Sequence, residues 1–259
     1  MWDEWCRLIA NFRIVRIPGS ARMATLSVVM DTLHAKGSEK TRATYVRHGA
    51  PPERTLGVSV ADMKVLAKTM KKQQELACEL YETGIFDAMY LAGIVADGRP
   101  MTKKQLQEWA DGAKGMPMIF EYTVPWVTIE SAFARELAMQ WIGSKKEHVA
   151  AAGWCTYAGL ATTVPDEALD LEEIAELVES VPDRIDEAAN RLRVTMNRFV
   201  ITVGGYVAPL HRQTVALAQR LGEVPVDVGD TACEIPLATA YIAKMHASGR
   251  TAKRKTIRC

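Results

Sequence analysis

The sequence has almost no net charge, no closely spaced cysteine pair and no apolar run long enough to cross a membrane. Its 259 residues include 32 basic and 31 acidic side chains, so the net charge is +1. Without a global basic field, any argument for nucleic-acid binding has to rest on local charge. Apolar residues make up 48% of the chain, an ordinary globular composition that excludes a disordered or fibrous protein.

The five cysteines are too widely spaced for a zinc ribbon or a redox pair. They are Cys6, Cys78, Cys155, Cys233 and Cys259. We therefore expect reduced thiols, a cytoplasmic location and neither a metal nor another cofactor. The sequence also lacks a G-x-S-x-G elbow, a phosphate-binding P-loop, an H-E-x-x-H pair and a dinucleotide-binding glycine pattern, so it carries no motif of those enzyme classes.

The first residues do not have the form of a secretory signal. Acidic Asp3 and Glu4 come first, and arginines interrupt the apolar residues that follow. The prolyl-glycyl-serine sequence at 18–20 then breaks the chain. We predict an appendage outside the fold over residues 1–22, a helical-repeat domain over 23–248 and a basic tail over 249–259.

Helix-start signals recur at intervals of roughly 40 residues, the period of HEAT and armadillo arrays. Three have the form of a capping box, at Ser59–Asp62, Thr102–Gln105 and Ser144–Glu147, and Pro182 marks a fourth start. Further helices are predicted over 75–82, 86–96, 126–142, 171–181, 184–203 and 209–221. Gly204-Gly205 is interpreted as a helix stop, and 224–228 as extended. The sequence thus predicts an all-α, HEAT-like helical-repeat solenoid of stacked antiparallel helix pairs.

Charge is unevenly distributed along the chain. Residues 166–187 contain ten acids and one base, whereas the next helix carries arginines with asparagine and threonine. That mixture suits a phosphate backbone, and it also suits a solvated face paired with the acidic helix. The candidate DNA-binding residues of this helix are Arg191, Arg193, Asn197 and Arg198.

The tail is a second candidate for binding a polyanion. No acid follows Lys244, and Lys253, Arg254 and Lys255 are consecutive. Such a tail binds DNA through salt-sensitive contacts, or it is a solubilising end.

An aromatic, acidic segment precedes the predicted helix at 126. It runs Phe120-Glu121-Tyr122-Thr-Val-Pro-Trp126. A glutamate between rings is partly desolvated and suited to electrostatic work. The alternative is that these rings belong to the core, with Glu121 at its rim.

Several segments together resemble the DNA alkylation repair family, the HEAT-like-repeat glycosylases of the AlkD type. They are GVSVADMKVLAK (57–68), ELACELYETGIFDA (75–88), LQEW (106–109), QWIGS (140–144) and EHVAAAGW (147–154). The resemblance runs from about Met23 to the C-terminus. It implies a curved stack of helix pairs whose basic concave face binds double-stranded DNA, and hydrolysis of the N-glycosidic bond of alkylated purines.

The resemblance also implies a catalytic carboxylate, and here the sequence departs from the family pattern. The matching segment is Pro117–Glu121, where glutamate replaces the family's aspartate and Pro117 stands at the place of a tryptophan. The family's groove arginine falls within 149–153, which contains none. Glu121 is thus the catalytic candidate by type only, with Tyr122 and Trp126 as groove aromatics. We expect a DNA-binding protein of the alkylation repair type; the alternative is a non-enzymatic scaffold that binds a protein partner.

Overall fold

Five helices form the first of two compact units in the computed structural model, which describes residues 24–70 and 73–258. They are α1 (Leu26–Lys36), α2 (Glu39–Arg47), α3 (Val60–Ala67), α4 (Gln74–Glu82) and α5 (Phe86–Val95). Helix α5 is apolar around most of its circumference, and residues 86–93 are all buried. It packs against α1, α3 and α4, as expected of a helix without a polar face.

A single buried carboxylate fixes the loop before α3. Asp87 of α5 accepts hydrogen bonds from the backbone N–H groups of Leu56 (2.6 Å) and Val58 (2.7 Å). We expect Asp87→Asn to lower the free energy of unfolding by about 1–3 kcal/mol, because the new NH₂ group faces one of these donors. Urea unfolding of the full chain measures this loss. The control is Asp31→Asn, an exposed substitution on α1 that should change the free energy of unfolding little. An effect at Asp87 as small as that at Asp31 would contradict the prediction.

The second unit covers residues 98–258. Its helices are α6 (Lys103–Gly112), α7 (Val124–Thr128), α8 (Ala134–Ile142), α9 (Glu147–Thr163), α10 (Leu171–Glu179), α11 (Val181–Ile185), α12 (Asn190–Tyr206), α13 (His211–Leu221) and α14 (Ala238–Ala247). No β-strand occurs within residues 24–70 and 73–258, so the all-helical prediction is confirmed.

Helices α9 and α12 form the centre of this unit. Trp154 and Tyr157 of α9 meet the ring of Phe199 edge-on, with centroids 5.1 and 5.9 Å apart. A Cβ on Gly153 would overlap the backbone of α8, so this glycine permits the close approach of α8 and α9. Helix α9 also packs against the segment 119–123, which contains Glu121, and α12 carries Arg191, so the two central helices position both residues.

Two of the three predicted capping boxes are confirmed as helix starts. The Ser59 hydroxyl accepts from the N–H of Asp62 (3.1 Å), and Thr102 and Gln105 form both halves of a capping box. The prediction at Ser144 is wrong, because α9 begins at Glu147. Only a short turn separates α8 from α9, and within it the Ser144 hydroxyl accepts from the N–H of Lys146 (3.2 Å).

The single helix predicted over 126–142 is wrong. It is divided into α7 and α8 by a turn in which the Ser131 hydroxyl donates to the carbonyl of Thr128 (2.8 Å) and accepts from the N–H of Phe133 (3.2 Å). These local bonds compete with the helical pattern.

The predicted helix stop at Gly204-Gly205 is also wrong. Helix α12 continues to Tyr206, and both glycines are buried within it. A Cβ on either residue would overlap Ile242 or Met245 of α14. The glycines thus serve the packing of two helices rather than the end of one.

Residues 250–258 are the last part of the second unit and pack against its other elements. Ile257 is buried beside Gly159 of α9, and Arg258 forms two hydrogen bonds with Glu130 (2.9 and 2.6 Å). The appendage predicted over 1–22 lies outside the described residues, and the boundaries at 23, 248 and 249 stay predictions. Within the described part of the chain, no helix has the length and apolar character that would let it span a membrane.

Candidate nucleic-acid interface

A π-helical turn positions Glu121. The turn covers Ile119–Thr123, and the N–H of Val124 closes it by donating to the carbonyl of Ile119. Pro125 follows within the first turn of α7; it has no N–H, and its ring would crowd the carbonyl of Glu121 in a regular α-helix. Such wide turns are frequent at functional sites. Here the turn places the Glu121 side chain in the interior, with none of it exposed.

Two arginines of α12 share the Glu121 carboxylate. Arg191 donates to Oε1 through Nε (2.9 Å) and also through Nη2, while Arg198 Nη2 donates to Oε2 (2.8 Å). The two arginines are seven residues apart and therefore lie on one face of the helix. Arg198 has 5% of its side chain exposed and Arg191 has 38%. We call these three residues the arginine–glutamate cluster.

The buried arginine has further neighbours. Its guanidinium carbon lies 5.4 Å from the ring centre of Tyr122, and Nη1 lies 3.6 Å from Cys155 Sγ. Burial alone would lower the pKa of Arg198, but Tyr122 and Glu121 raise it above its ordinary value. The Tyr122 ring in turn lies 6.2 Å from that of Trp126, which is completely buried. The cluster is therefore charged and lined by aromatic rings.

The charge of the cluster favours an anion. Two guanidinium groups face one carboxylate, which leaves an excess positive charge, and Arg191 brings it to the surface. Guanidinium groups bind phosphate through two parallel hydrogen bonds. Both Glu121 oxygens already accept hydrogen bonds, so its negative charge is largely balanced within the cluster.

Two other predicted DNA-binding residues of α12 contact backbone carbonyls of the protein. Arg193 donates to the carbonyls of Ala188 (3.0 Å), Asp186 (2.8 Å) and Pro225 (3.2 Å). Asn197 donates to the carbonyl of Pro236 (2.9 Å). The bonds to Pro225 and Pro236 hold the irregular segment 223–237 against α12.

Asn190, the first residue of α12, binds the same segment. Its amide pairs reciprocally with the backbone of Asp227, at 2.6 and 2.8 Å. The proline-containing segment has no strand partner within the described residues, so side chains satisfy its backbone groups. A proline-containing segment with unpaired backbone groups is thus a sequence signal for polar side chains that bind it. Asn190, Arg193 and Asn197 bind it here, and Arg191 and Arg198 contact Glu121 instead.

The tail residues that we predicted to bind DNA lie at the C-terminal end of α9. Lys253 Nζ donates to the carbonyl of Ala161 (2.7 Å) and lies 2.7 Å from Asp166 Oδ1. The N–H of Arg254 donates to the carbonyl of Thr162 (2.9 Å), and Lys255 is exposed. A lysine at a helix C-terminus also complements the helix dipole. DNA binding by these residues stays a prediction.

Sequence reasoning missed two participants in the site. Glu147, the first residue of α9, accepts a hydrogen bond from the backbone N–H of Arg191 (3.0 Å) and so fixes the start of α12. Cys155 contacts Arg198, as described above. Glu147 was interpreted only as part of a capping box and Cys155 only as a reduced thiol, because it is the fold that brings them to Arg191 and Arg198. Within residues 24–70 and 73–258, no three metal-ligating side chains are grouped as a metal would need.

Cys155 is expected to be unreactive in the folded protein. Burial raises the pKa of its thiol to about 12, so almost no thiolate exists near neutral pH. Iodoacetamide treatment at pH 8 followed by peptide mass mapping should leave Cys155 unmodified and modify the exposed Cys233. In urea both should react. Labelling of Cys155 in the folded chain at the rate of Cys233 would contradict the described burial.

The comparisons with known proteins identify the family. A model described as DNA alkylation repair enzyme matches residues 29–215. That match covers more than half of the chain, so the chain belongs to the DNA alkylation repair family.

A solved structure is similar over 91% of this chain and 100% of its own, with 37% identity and a TM-score of 0.84. It is described as a new family of proteins related to the HEAT-like repeat DNA glycosylases with affinity for branched DNA structures. The predicted HEAT-like helical-repeat fold is thereby confirmed.

Two curated relatives come from Listeria. The uncharacterized protein Lin0241 of Listeria innocua is 28% identical over 225 residues, which cover 86% of this chain and 97% of the relative. The uncharacterized protein Lmo0209 of Listeria monocytogenes is 27% identical with the same coverage. The similarity to both therefore spans nearly their whole length.

Proposed function

We propose that this chain binds DNA through phosphate groups at the arginine–glutamate cluster and prefers branched DNA to a linear duplex. The observation that carries this proposal is the excess positive charge of two arginines on one buried carboxylate, with Arg191 partly exposed. The affinity of the similar solved protein for branched DNA supports the choice of substrate.

The first experiment compares binding of the full chain to a four-way junction and to a linear duplex of matched composition. Fluorescence anisotropy at about 50 and 200 mM salt should show tighter binding to the junction, and affinity should fall more than about tenfold at the higher salt because counterions are released. Binding that does not depend on salt would contradict phosphate contacts. Absence of binding to both DNAs at low salt would instead favour the protein-binding scaffold.

A second candidate function is excision of alkylated purines. Glu121 matches the family's carboxylate by type and lies in a π-helical turn beside an aromatic ring, where a negative charge would stabilise a positive charge developing on the sugar. Its pairing with two arginines weakens that electrostatic effect. An excision assay on duplex DNA containing 7-methylguanine, with Glu121→Gln as the control, separates the two functions. Release of the alkylated base that the substitution abolishes supports a glycosylase. Release no faster than from the DNA without protein rejects it.

A further inference from the structure

Three lysines lie at the ends of α6 and α8, beside the start of α9. Lys114 follows the last turn of α6, while Lys145 and Lys146 lie in the turn between α8 and α9. All three are exposed. We call them the lysine edge. None of them belongs to the arginine–glutamate cluster, and none was a candidate from the sequence.

The ion pair between Lys146 and Asp111 shows that the lysine edge is a local arrangement rather than three scattered side chains. Lys146 Nζ, in the turn before α9, lies 2.7 Å from Oδ1 of Asp111 in the last turn of α6, and Lys114 follows Asp111 by three residues. The ends of α6 and α9 thus bring Lys114 and Lys146 to the same place.

A chain of hydrogen bonds fixes the centre of the edge. Lys146 Nζ lies 2.7 Å from Asp111 Oδ1, and Gln107 Nε2 donates to the other Asp111 oxygen (3.1 Å). The buried Trp141 in turn donates from Nε1 to Gln107 Oε1 (2.7 Å). Lys146 is therefore a supporting residue, whereas Lys114 and Lys145 have no carboxylate within ion-pair distance among residues 24–70 and 73–258.

The lysine edge is continuous with the arginine–glutamate cluster. Glu147 stands between Lys146 and His148 in the chain, and it accepts the hydrogen bond from the backbone N–H of Arg191. One residue therefore links the turn that carries the lysines to the start of α12. The three lysines and two arginines lie near three carboxylates, those of Asp111, Glu121 and Glu147, which leaves an excess of positive charge over two neighbouring groups on different elements of one unit.

We propose that the lysine edge binds the phosphate backbone of a second DNA arm while Arg191 binds the first. This inference rests on the proposed function and explains its preference for branched DNA. Cations that contact one backbone bind a duplex and a junction alike, because both present the same phosphates. Discrimination requires further cations that contact the neighbouring arm of a branch and not the arm bound at Arg191, and the lysine edge is carried by elements other than α12.

The double substitution Lys114→Ala/Lys145→Ala tests the inference. It removes the two lysines without a carboxylate partner and keeps Lys146 with Asp111. We expect affinity for a four-way junction to fall about tenfold and the slope of log affinity against log salt to become shallower by about 2, in line with two lost phosphate contacts. Affinity for a matched linear duplex should change less than about twofold, so the preference for the junction should largely disappear.

Lys40→Ala/Arg212→Ala is the matched control, since it removes the same charge from exposed positions on α2 and α13. It should preserve the preference for the junction. An equal loss of affinity for both DNAs, or an unchanged preference in Lys114→Ala/Lys145→Ala, would overturn the inference and leave the proposed function intact. If the unsubstituted protein showed no preference for the junction, the proposed function itself would fail together with the inference.

Discussion

Replacing Glu121 with leucine is expected to lower the free energy of unfolding by about 3–5 kcal/mol, the usual effect of removing one partner from a buried ion pair. The substitution leaves a charged guanidinium without its carboxylate in the interior, because an arginine keeps its proton in proteins and only 5% of the Arg198 side chain is exposed. Leucine offers no acceptor for the hydrogen bonds that Arg198 and Arg191 donate to the carboxylate. Chemical denaturation of the full chain measures the loss.

Two further variants distinguish a buried charge effect from a general packing effect. Glu136→Leu removes an exposed carboxylate of α8 that pairs with Lys103, and it should change stability by less than about 1 kcal/mol. The double variant Glu121→Leu/Arg198→Met removes both buried charges and should recover much of the lost stability. A loss at Glu121 no larger than that at Glu136 would mean that the carboxylate does not hold the two arginines.

Replacing Arg191 with alanine is expected to weaken DNA binding about tenfold, uniformly across sequences, and to make the salt slope shallower by about 1. The reason is that Arg191 is the partly exposed cation of the cluster, and a phosphate contact carries no sequence information. Stability should fall by about 1–3 kcal/mol, because Oε1 of the buried Glu121 loses the donors that Arg191 supplies, so binding is compared under conditions in which circular dichroism shows both proteins folded. Arg191→Lys should restore only part of the affinity, since an ammonium group lacks the paired donors of a guanidinium.

The control for this experiment is Arg212→Ala. Arg212 is exposed on α13 next to His211, whose ring contacts the carbonyl of Gly204. Gly204 lies about 20 Å along α12 from Arg191, since a helix rises about 1.5 Å per residue. Anisotropy with a labelled junction compares the variants. An Arg191→Ala protein that binds like Arg212→Ala would show that Arg191 contacts no phosphate.

The fold was predictable because its signals are local. Thr102 and Gln105 form a capping box through hydrogen bonds within four residues, so their spacing alone predicts the helix start. Gly204 and Gly205 misled the prediction because their role depends on Ile242 and Met245 of α14. A glycine that permits helix packing has the same sequence signature as one that ends a helix.

The candidate site was only partly predictable, for the same reason. The aromatic neighbours of Glu121 indicated desolvation, and its side chain is buried. The four candidates of α12 came as one set, which the structure divides: Arg191 and Arg198 contact Glu121, whereas Arg193 and Asn197 contact backbone carbonyls. The pairing of Glu121 with both arginines joins residues 70 and 77 positions apart, and no local pattern contains it. The sequence therefore supplied a carboxylate and a set of cations as separate candidates, and the structure unites some of them in one cluster.

The most direct test of the account is the affinity of Glu121→Gln for a four-way junction. In the proposed function, the cluster is an anion site that its own carboxylate partly neutralises. Glutamine removes the negative charge and keeps an acceptor for one of the two arginines, while its NH₂ group faces the other. With more uncompensated positive charge in the cluster, binding should become several-fold tighter and more sensitive to salt. The measurement is made where circular dichroism shows both proteins folded. Weaker binding by the folded Glu121→Gln protein would contradict the account, because it would mean that the negative charge itself contributes to DNA binding.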